Sequence, residues 1–282
     1  MSEFFQALSE QHFLQMALLA GLLASLACGM IGTYVVVKRI TFLAGGIAHS
    51  VLAGMGAAAY WGFDPLLGAL LAAVMSALLI GWIRLNWKTQ EDTLIGALWA
   101  MGMAIGLLFI SKTPGYDSNL MSYLFGNILL VPDEDIIFMA VLDAVLVVLV
   151  TVFYRQFQAV IFDEEFARLR GLPVSFFYLL LLCMIAVTVV LLIHVVGLIL
   201  VIALLTLPAA IAGQYVHSLG QMMMLASLLG SVFTTGGLAL SYAPNLPAGS
   251  TMILLAGATY IVALLLRQFL AKQHAAQSVR AT

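Results

Sequence analysis

Residues 175–214 read SFFYLLLLCMIAVTVVLLIHVVGLILVIALLTLPAAIAGQ. A helix that crosses a bilayer needs about 20 mostly apolar residues. The stretch therefore reads as two crossings, 175–194 and 196–214. Only His194 and Gly197 interrupt it, so the division between the two rests on those residues. If they do not divide it, the chain holds eight spans rather than nine.

The same pattern repeats outward in both directions. Apolar runs cover 14–37, 42–61, 64–84, 93–111, 135–154, 221–241 and 250–267. They are continuous rather than alternating, which excludes a membrane β-barrel. Hydrophobic residues make up 63% of the 282, charged residues 9%, and mean hydropathy is +1.11. Soluble domains carry about 25% charged residues. The expectation is an all-α membrane protein, a polytopic bundle of about nine helices. No composition shift or polar linker divides it, so 1–282 reads as a single domain. The start, MSEFFQALSEQH, has acidic residues and no basic n-region, and does not read as a cleaved signal. A net charge of −2 gives no reason to expect nucleic acid. Cys28 and Cys183 sit within apolar runs and read as buried small residues rather than a disulfide.

Basic residues orient the chain. With the N-terminus outside, Lys38, Arg39, Arg84, Lys88, Arg155, Arg168, Arg170, Arg267, Lys272 and Arg280 fall on the cytoplasmic side. Only Lys112, of eleven basic residues, falls outside. The vote favours nine spans in the cell's inner (plasma) membrane and a cytoplasmic C-terminus. The tail 268–282 is polar and is expected to fray at its end. The outer connection 112–135 mixes aromatic and acidic residues and suits short interfacial helices.

The inner connection, RQFQAVIFDEEFARLRGLP at 155–173, holds a short capped helix. Asp163 caps its start, and Glu164 and Glu165 occupy its first turn. Arg168 and Arg170 lie in its last turn. Gly171 closes it and Pro173 prevents its continuation. Phe162, Phe166 and Leu169, at i, i+4 and i+7, form one apolar face, with Ala167 between. Such a helix either rests on the bilayer or bundle, or docks a cytoplasmic partner.

Ionisable residues inside a membrane are functional candidates by default. His49 lies seven residues into the span that starts at Phe42, roughly 10 Å deep. On position alone it reads first as a hydrogen-bond partner between helices. Neutral imidazole is also a common transition-metal ligand. Asp143 lies about 12 Å into its span and is a second candidate, as a metal-ligating carboxylate that supports the pathway, against a protonated or interhelical carboxyl. His12, His194, His217 and His274 read as interface residues, and the 14 methionines as packing. Gly45, Gly46, Gly54 and Gly56 surround His49 and admit close helix approach. Gly236 and Gly237 do the same in a late span. Pro208 frees the carbonyl of Leu204 and bends its helix, either to line a cavity or simply to pack.

EEFARLRGLP at 164–173 resembles the coupling-helix motif of type II ABC importers. GTYVVVKRITFLAGGIAHSVLAG at 32–54, SYLFGNILLVPDED at 122–135, VVGLILVIALLTLPAAIA at 195–212 and TTGGLALSYAPNLPAG at 234–249 are similar, in the same order, to the zinc/manganese branch of these permeases. The resemblance implies a permease subunit that is not itself an enzyme and holds no permanent cofactor. It implies transport of a divalent metal, zinc or manganese, with iron as a third candidate. It also implies a second permease subunit (identical or paralogous), a cytoplasmic ABC ATPase dimer, and an extracytoplasmic metal-binding protein. Phe162–Leu169 and Gly171 would couple the ATPase, and His49 matches the family's pathway histidine. The family's Asp four residues earlier, within Phe-Leu-Gly-Asp, is Gly45 here, in Phe42-Leu43-Ala44-Gly45. An i, i+4 ligand pair is therefore missing, and the cargo metal stays open.

Two other classes compete. An ion-coupled secondary carrier would use His49 and Asp143 without an ATPase. An intramembrane metalloprotease would need a cluster such as H-E-x-x-H, which is absent. A Walker G-x-x-x-x-G-K-[ST] is absent too, so the importer reading needs ATP hydrolysis on a separate chain.

Overall fold

The computed structural model describes residues 2–87, 91–113, 126, 128–198, 201–244 and 246–280. For residues 2, 3, 5, 91, 130, 194–196 and 270–280 it describes the backbone alone. The described residues are helical, with no strand among them. In chain order the helices are α1 Ser2–Glu10, α2 His12–Lys38, α3 Thr41–Tyr60, α4 Pro65–Asn86 and α5 Glu91–Lys112. A 3-10 turn at Ile128–Leu130 precedes α6 Asp133–Val152, α7 Tyr154–Phe162 and α8 Glu164–Leu169. The chain ends in α9 Val174–Val196, α10 Val201–Ala212, α11 Leu219–Tyr242 and α12 Ala248–Arg280.

Eight of these helices are long and apolar enough to cross a membrane: α2, α3, α4, α5, α6, α9, α11 and α12. The break expected near His194 and Gly197 is present. Gly197 takes φ +78°, a conformation that favours glycine, and its N–H closes α9 on Ile193 O at 3.0 Å. The crossing expected at 196–214 is the shorter α10. Its 12 residues reach about 18 Å, against a hydrocarbon core of about 30 Å.

Helix ends follow their local chemistry. Asp64 caps α4, accepting from Leu66 N at 2.8 Å, with Pro65 in the first turn. Ser218 caps α11. Between α2 and α3 the chain turns within Arg39 and Ile40, and Arg39 takes φ +59°.

Three helices form the interior. α2 packs on α11, α10, α6 and α9, while α3 packs on α5 and α4, and α9 also meets α4. Polar side chains on α2 and α11 are satisfied within the bundle. Ser25 Oγ donates to Gly21 O at 2.6 Å and lies 3.2 Å from Thr234 Oγ1. The remaining long helices turn much of their surface outward: Ile137, Val141, Val145 and Val148 of α6 are exposed, whereas Met139, Leu146 and Val150 are buried. An outward apolar surface of this kind is stable in lipid, not in water.

Some expectations need correction. The N-terminal residues, expected only to precede the first span, form α1. Phe4 is buried and meets Tyr242 edge-on, while Gln6, Ser9 and Glu10 face out. Residues 155–162, expected as part of a connection, join Tyr154 in α7. It is held because Phe157 is buried among Tyr34, Phe153 and Phe177, at ring separations of 5.5–6.5 Å. The tail, expected only as a polar extension that frays at its end, is helical as far as Arg280, and its last two residues lie outside the described residues. Lys88 and most of 112–135 lie outside the described residues, as do the side chains of His194, Lys272, His274 and Arg280. Cys28 and Cys183 are free thiols.

Candidate coupling surface and pathway residues

The short helix α8 forms where the sequence places it. Asp163 has extended backbone, and its carboxylate accepts from Phe166 N at 2.9 Å. Glu164 and Glu165 sit in the first turn and Arg168 in the last. Beyond Arg170, Gly171 takes φ +76°, and Leu172 N returns to Ala167 O at 3.1 Å. Cap, charge and stop signals thus agree.

What α8 presents is specific. Ala167 is fully buried against the bundle, which lets the helix sit close. The apolar face points the other way: Phe162 is 65% exposed, Phe166 48% and Leu169 88%. The guanidinium of Arg170 lies 4.9 Å from the Phe166 ring centroid. These side chains are therefore not packed on the bundle, and the same exposure suits either the bilayer surface or a cytoplasmic partner.

The N-terminal carboxylate of α8 enters a charged cluster. Lys38 Nζ pairs with Glu164 and donates to Val160 O at 3.1 Å. Arg84 Nη2 lies 4.0 Å from the same carboxylate. Arg84 Nη1 donates to Tyr178 Oη at 2.6 Å, with its guanidinium 4.5 Å from that ring's centroid. The sequence reading counted Lys38 and Arg84 only as topological charges. No local pattern reveals this cluster, whose members lie 126 and 94 residues apart along the chain.

His49 lies near the middle of α3. Its ring stacks on Trp99 of α5, with centroids 4.0 Å apart and planes 11° apart. Its Nδ1 is buried with no hydrogen-bond partner among the described residues. Phe42 meets the same indole at 5.9 Å. Trp99 was missed from sequence because a tryptophan in an apolar run carries no distinguishing mark. The glycines around His49 do admit neighbours. A Cβ on Gly46 would lie 2.4 Å from Ile95 Cγ2, and one on Gly54 2.1 Å from Gly68 O. At Gly45, Ile202 Cδ1 and Trp99 occupy the space, 2.9 and 3.4 Å from a Cβ position. No carboxylate reaches His49 from that residue.

Asp143 is buried in α6, which packs on α2, and neither carboxyl oxygen has a hydrogen-bond partner among the described residues. His49 and Asp143 therefore belong to different helix contacts, α3 with α5 and α6 with α2. Among the described residues no three His, Cys, Asp or Glu side chains gather as a metal cluster. Pro208 lies buried within α10, close to where Gly32 of α2 lets the helices approach; a Cβ on Gly32 would lie 1.9 Å from Leu205 O. His12, on the surface, lies 3.9 Å from Asp133.

Comparison with known proteins agrees with this architecture. Residues 10–267 match the ABC 3 transport family. The chain is 48% identical over 259 residues to an uncharacterized membrane protein of Synechocystis, covering 92% of each. It is 33% identical to the manganese transport system membrane protein MntC of Listeria innocua, covering 93% of each. The solved structure of PsaBC from Streptococcus pneumoniae in complex with Fab superposes with a TM-score of 0.85 at 31% identity, over 93% of this chain and 94% of that one. The protein is a multi-spanning membrane member of the ABC 3 transport family.

Proposed function

We propose that this chain is the permease subunit of an ABC importer for a divalent transition metal. Manganese is the first candidate, because MntC of Listeria innocua and ScaB of Streptococcus gordonii bear manganese transport names; zinc and iron follow. The observation that carries the reading is the capped helix α8 with Phe162, Phe166 and Leu169 turned outward. An amphipathic helix offering i, i+4 and i+7 anchors suits a groove on a partner. The partner is a cytoplasmic ABC ATPase, so α8 lies inside and, five spans before it, the N-terminus outside; a C-terminus inside as well requires α10 to count as a ninth crossing.

Two permease subunits, identical or paralogous, enclose the pathway. Gly96, Ala100 and Ala104 put small residues on one outward stripe of α5, the helix that carries Trp99, as suits close helix contact between subunits. An extracytoplasmic metal-binding protein delivers cargo to the outer face. His49 offers a nitrogen ligand from α3. Asp143 supports the pathway from the α2–α6 contact without joining the same ligand set. Unchanged metal uptake by Asp143→Asn would remove that second role.

The test is uptake by proteoliposomes holding the permease and its ATPase. Manganese should enter only with ATP, and unlabelled manganese should compete best against zinc and iron. Uptake that persists without the ATPase would favour the carrier.

A further inference from the structure

We propose that Glu164, held by Lys38 and Arg84, is the positioning residue that passes movement of α8 to the helix bearing His49. This deepens the coupling reading and rests on it. The geometry is specific at each step. Glu164 occupies the first turn of the coupling helix, and its carboxylate meets two cations from different spans. Lys38 is the last residue of α2, and Arg84 lies in the last turn of α4. Tyr178 of α9 lies beneath both: Arg84 donates to its hydroxyl, and Lys38 Nζ lies 5.8 Å from its ring centroid. One carboxylate thus joins α8 to the ends of α2 and α4, over a ring from α9.

Position makes Lys38 the informative member. Its side chain is only 8% exposed, whereas that of Glu164 is 41% exposed. A lysine so enclosed depends on its partner charge, because a buried charge left alone is unfavourable. Only Arg39 and Ile40 separate Lys38 from α3, and the turn is held tight by Ile40 N bonding Val35 O at 3.0 Å. That corner has no slack to absorb a displacement of Lys38. His49 follows eight residues into α3, about 12 Å along its axis. Arg84 reaches the same helix by a second route, since α4 packs along α3. By contrast, the covalent path from α8 to α9 runs through Gly171, a glycine in the left-handed region.

The experiment uses the whole transporter in proteoliposomes, with Mn2+ as the probe and two readouts: ATPase retained by the purified permease, and Mn2+ moved per ATP hydrolysed. Glu164→Gln and Lys38→Met should retain the ATPase and hydrolyse ATP, while transport per ATP falls about fivefold or more. The double variant should be no worse than the poorer single one. Lys38→Arg preserves the pair and should stay near the unmodified protein, which also controls for folding. Unchanged transport per ATP in both single variants overturns the proposal. So does a Lys38→Arg defect as large as that of Lys38→Met, which would mean that shape rather than charge matters. Loss of the ATPase from Glu164→Gln alone also overturns it, by assigning Glu164 to docking. If the unmodified permease retains no ATPase, the coupling reading itself has failed.

Discussion

Replacing Phe166 by alanine should weaken binding of the ATPase without disturbing the permease. A phenylalanine buries about 150–250 Å2 when enclosed. Phe166 is 48% exposed, so docking can cover roughly another 100 Å2. At about 25 cal/mol per Å2 that is about 2.5 kcal/mol, or about 70-fold in affinity. Within the permease the ring's nearest cation is Arg170, at 4.9 Å, an exposed pairing of about 0.5–1 kcal/mol. The half of Phe166 that the permease already covers belongs to the surface helix α8 and not to the buried core, so the bundle should hold. The assay is a titration of ATPase onto nanodisc-embedded permease, with thermal unfolding of both proteins as the control. An affinity within twofold of the unmodified protein, with the fold intact, would refute α8 as the docking element.

Further outcomes follow from the same geometry. Asp163→Ala removes the acceptor for Phe166 N and should cost α8 about 1 kcal/mol; amide exchange across 163–171 should quicken several-fold, and unchanged exchange would deny the cap its role. Gly54→Val drives a side chain into Gly68 O, 2.1 Å from its Cβ position, where only backbone can move. It should lower the melting temperature clearly, whereas Gly257→Val, whose Cβ meets nothing within 4 Å, should not; equal melting would contradict the α3–α4 contact. Gly45→Asp restores a carboxylate one turn before His49, provided the flexible end of Ile202 yields. Calorimetry of Mn2+ binding should then show tighter association, and unchanged affinity would separate His49 from metal.

The long spans were legible because each is an uninterrupted apolar run, and the division within 175–214 because Gly197 carries the signal of a helix end. The cap, stop and face of α8 were legible for the same reason: Asp163, Gly171 and the Phe162–Phe166–Leu169 spacing act locally. Which side of each span faces the interior was not. Lipid is as apolar as a protein core, so Val141 turned outward and Leu146 turned inward have the same chemistry. α1 and α7 were too short and too mixed to register as membrane runs. Trp99 over His49, and Lys38 with Glu164, are pairings between distant segments. They exist only once the helices have packed, and no periodicity encodes them.

The central claim is that metal crosses at α3, at His49, driven by an ATPase on α8. Its most direct test is ATP-driven Mn2+ uptake by proteoliposomes containing the complete complex with His49→Ala. The expected result is uptake at least about tenfold slower, a loss of about 1.4 kcal/mol in transport, with the ATPase still bound and still hydrolysing. Uptake at the unmodified rate, with the ATPase bound, would contradict the account.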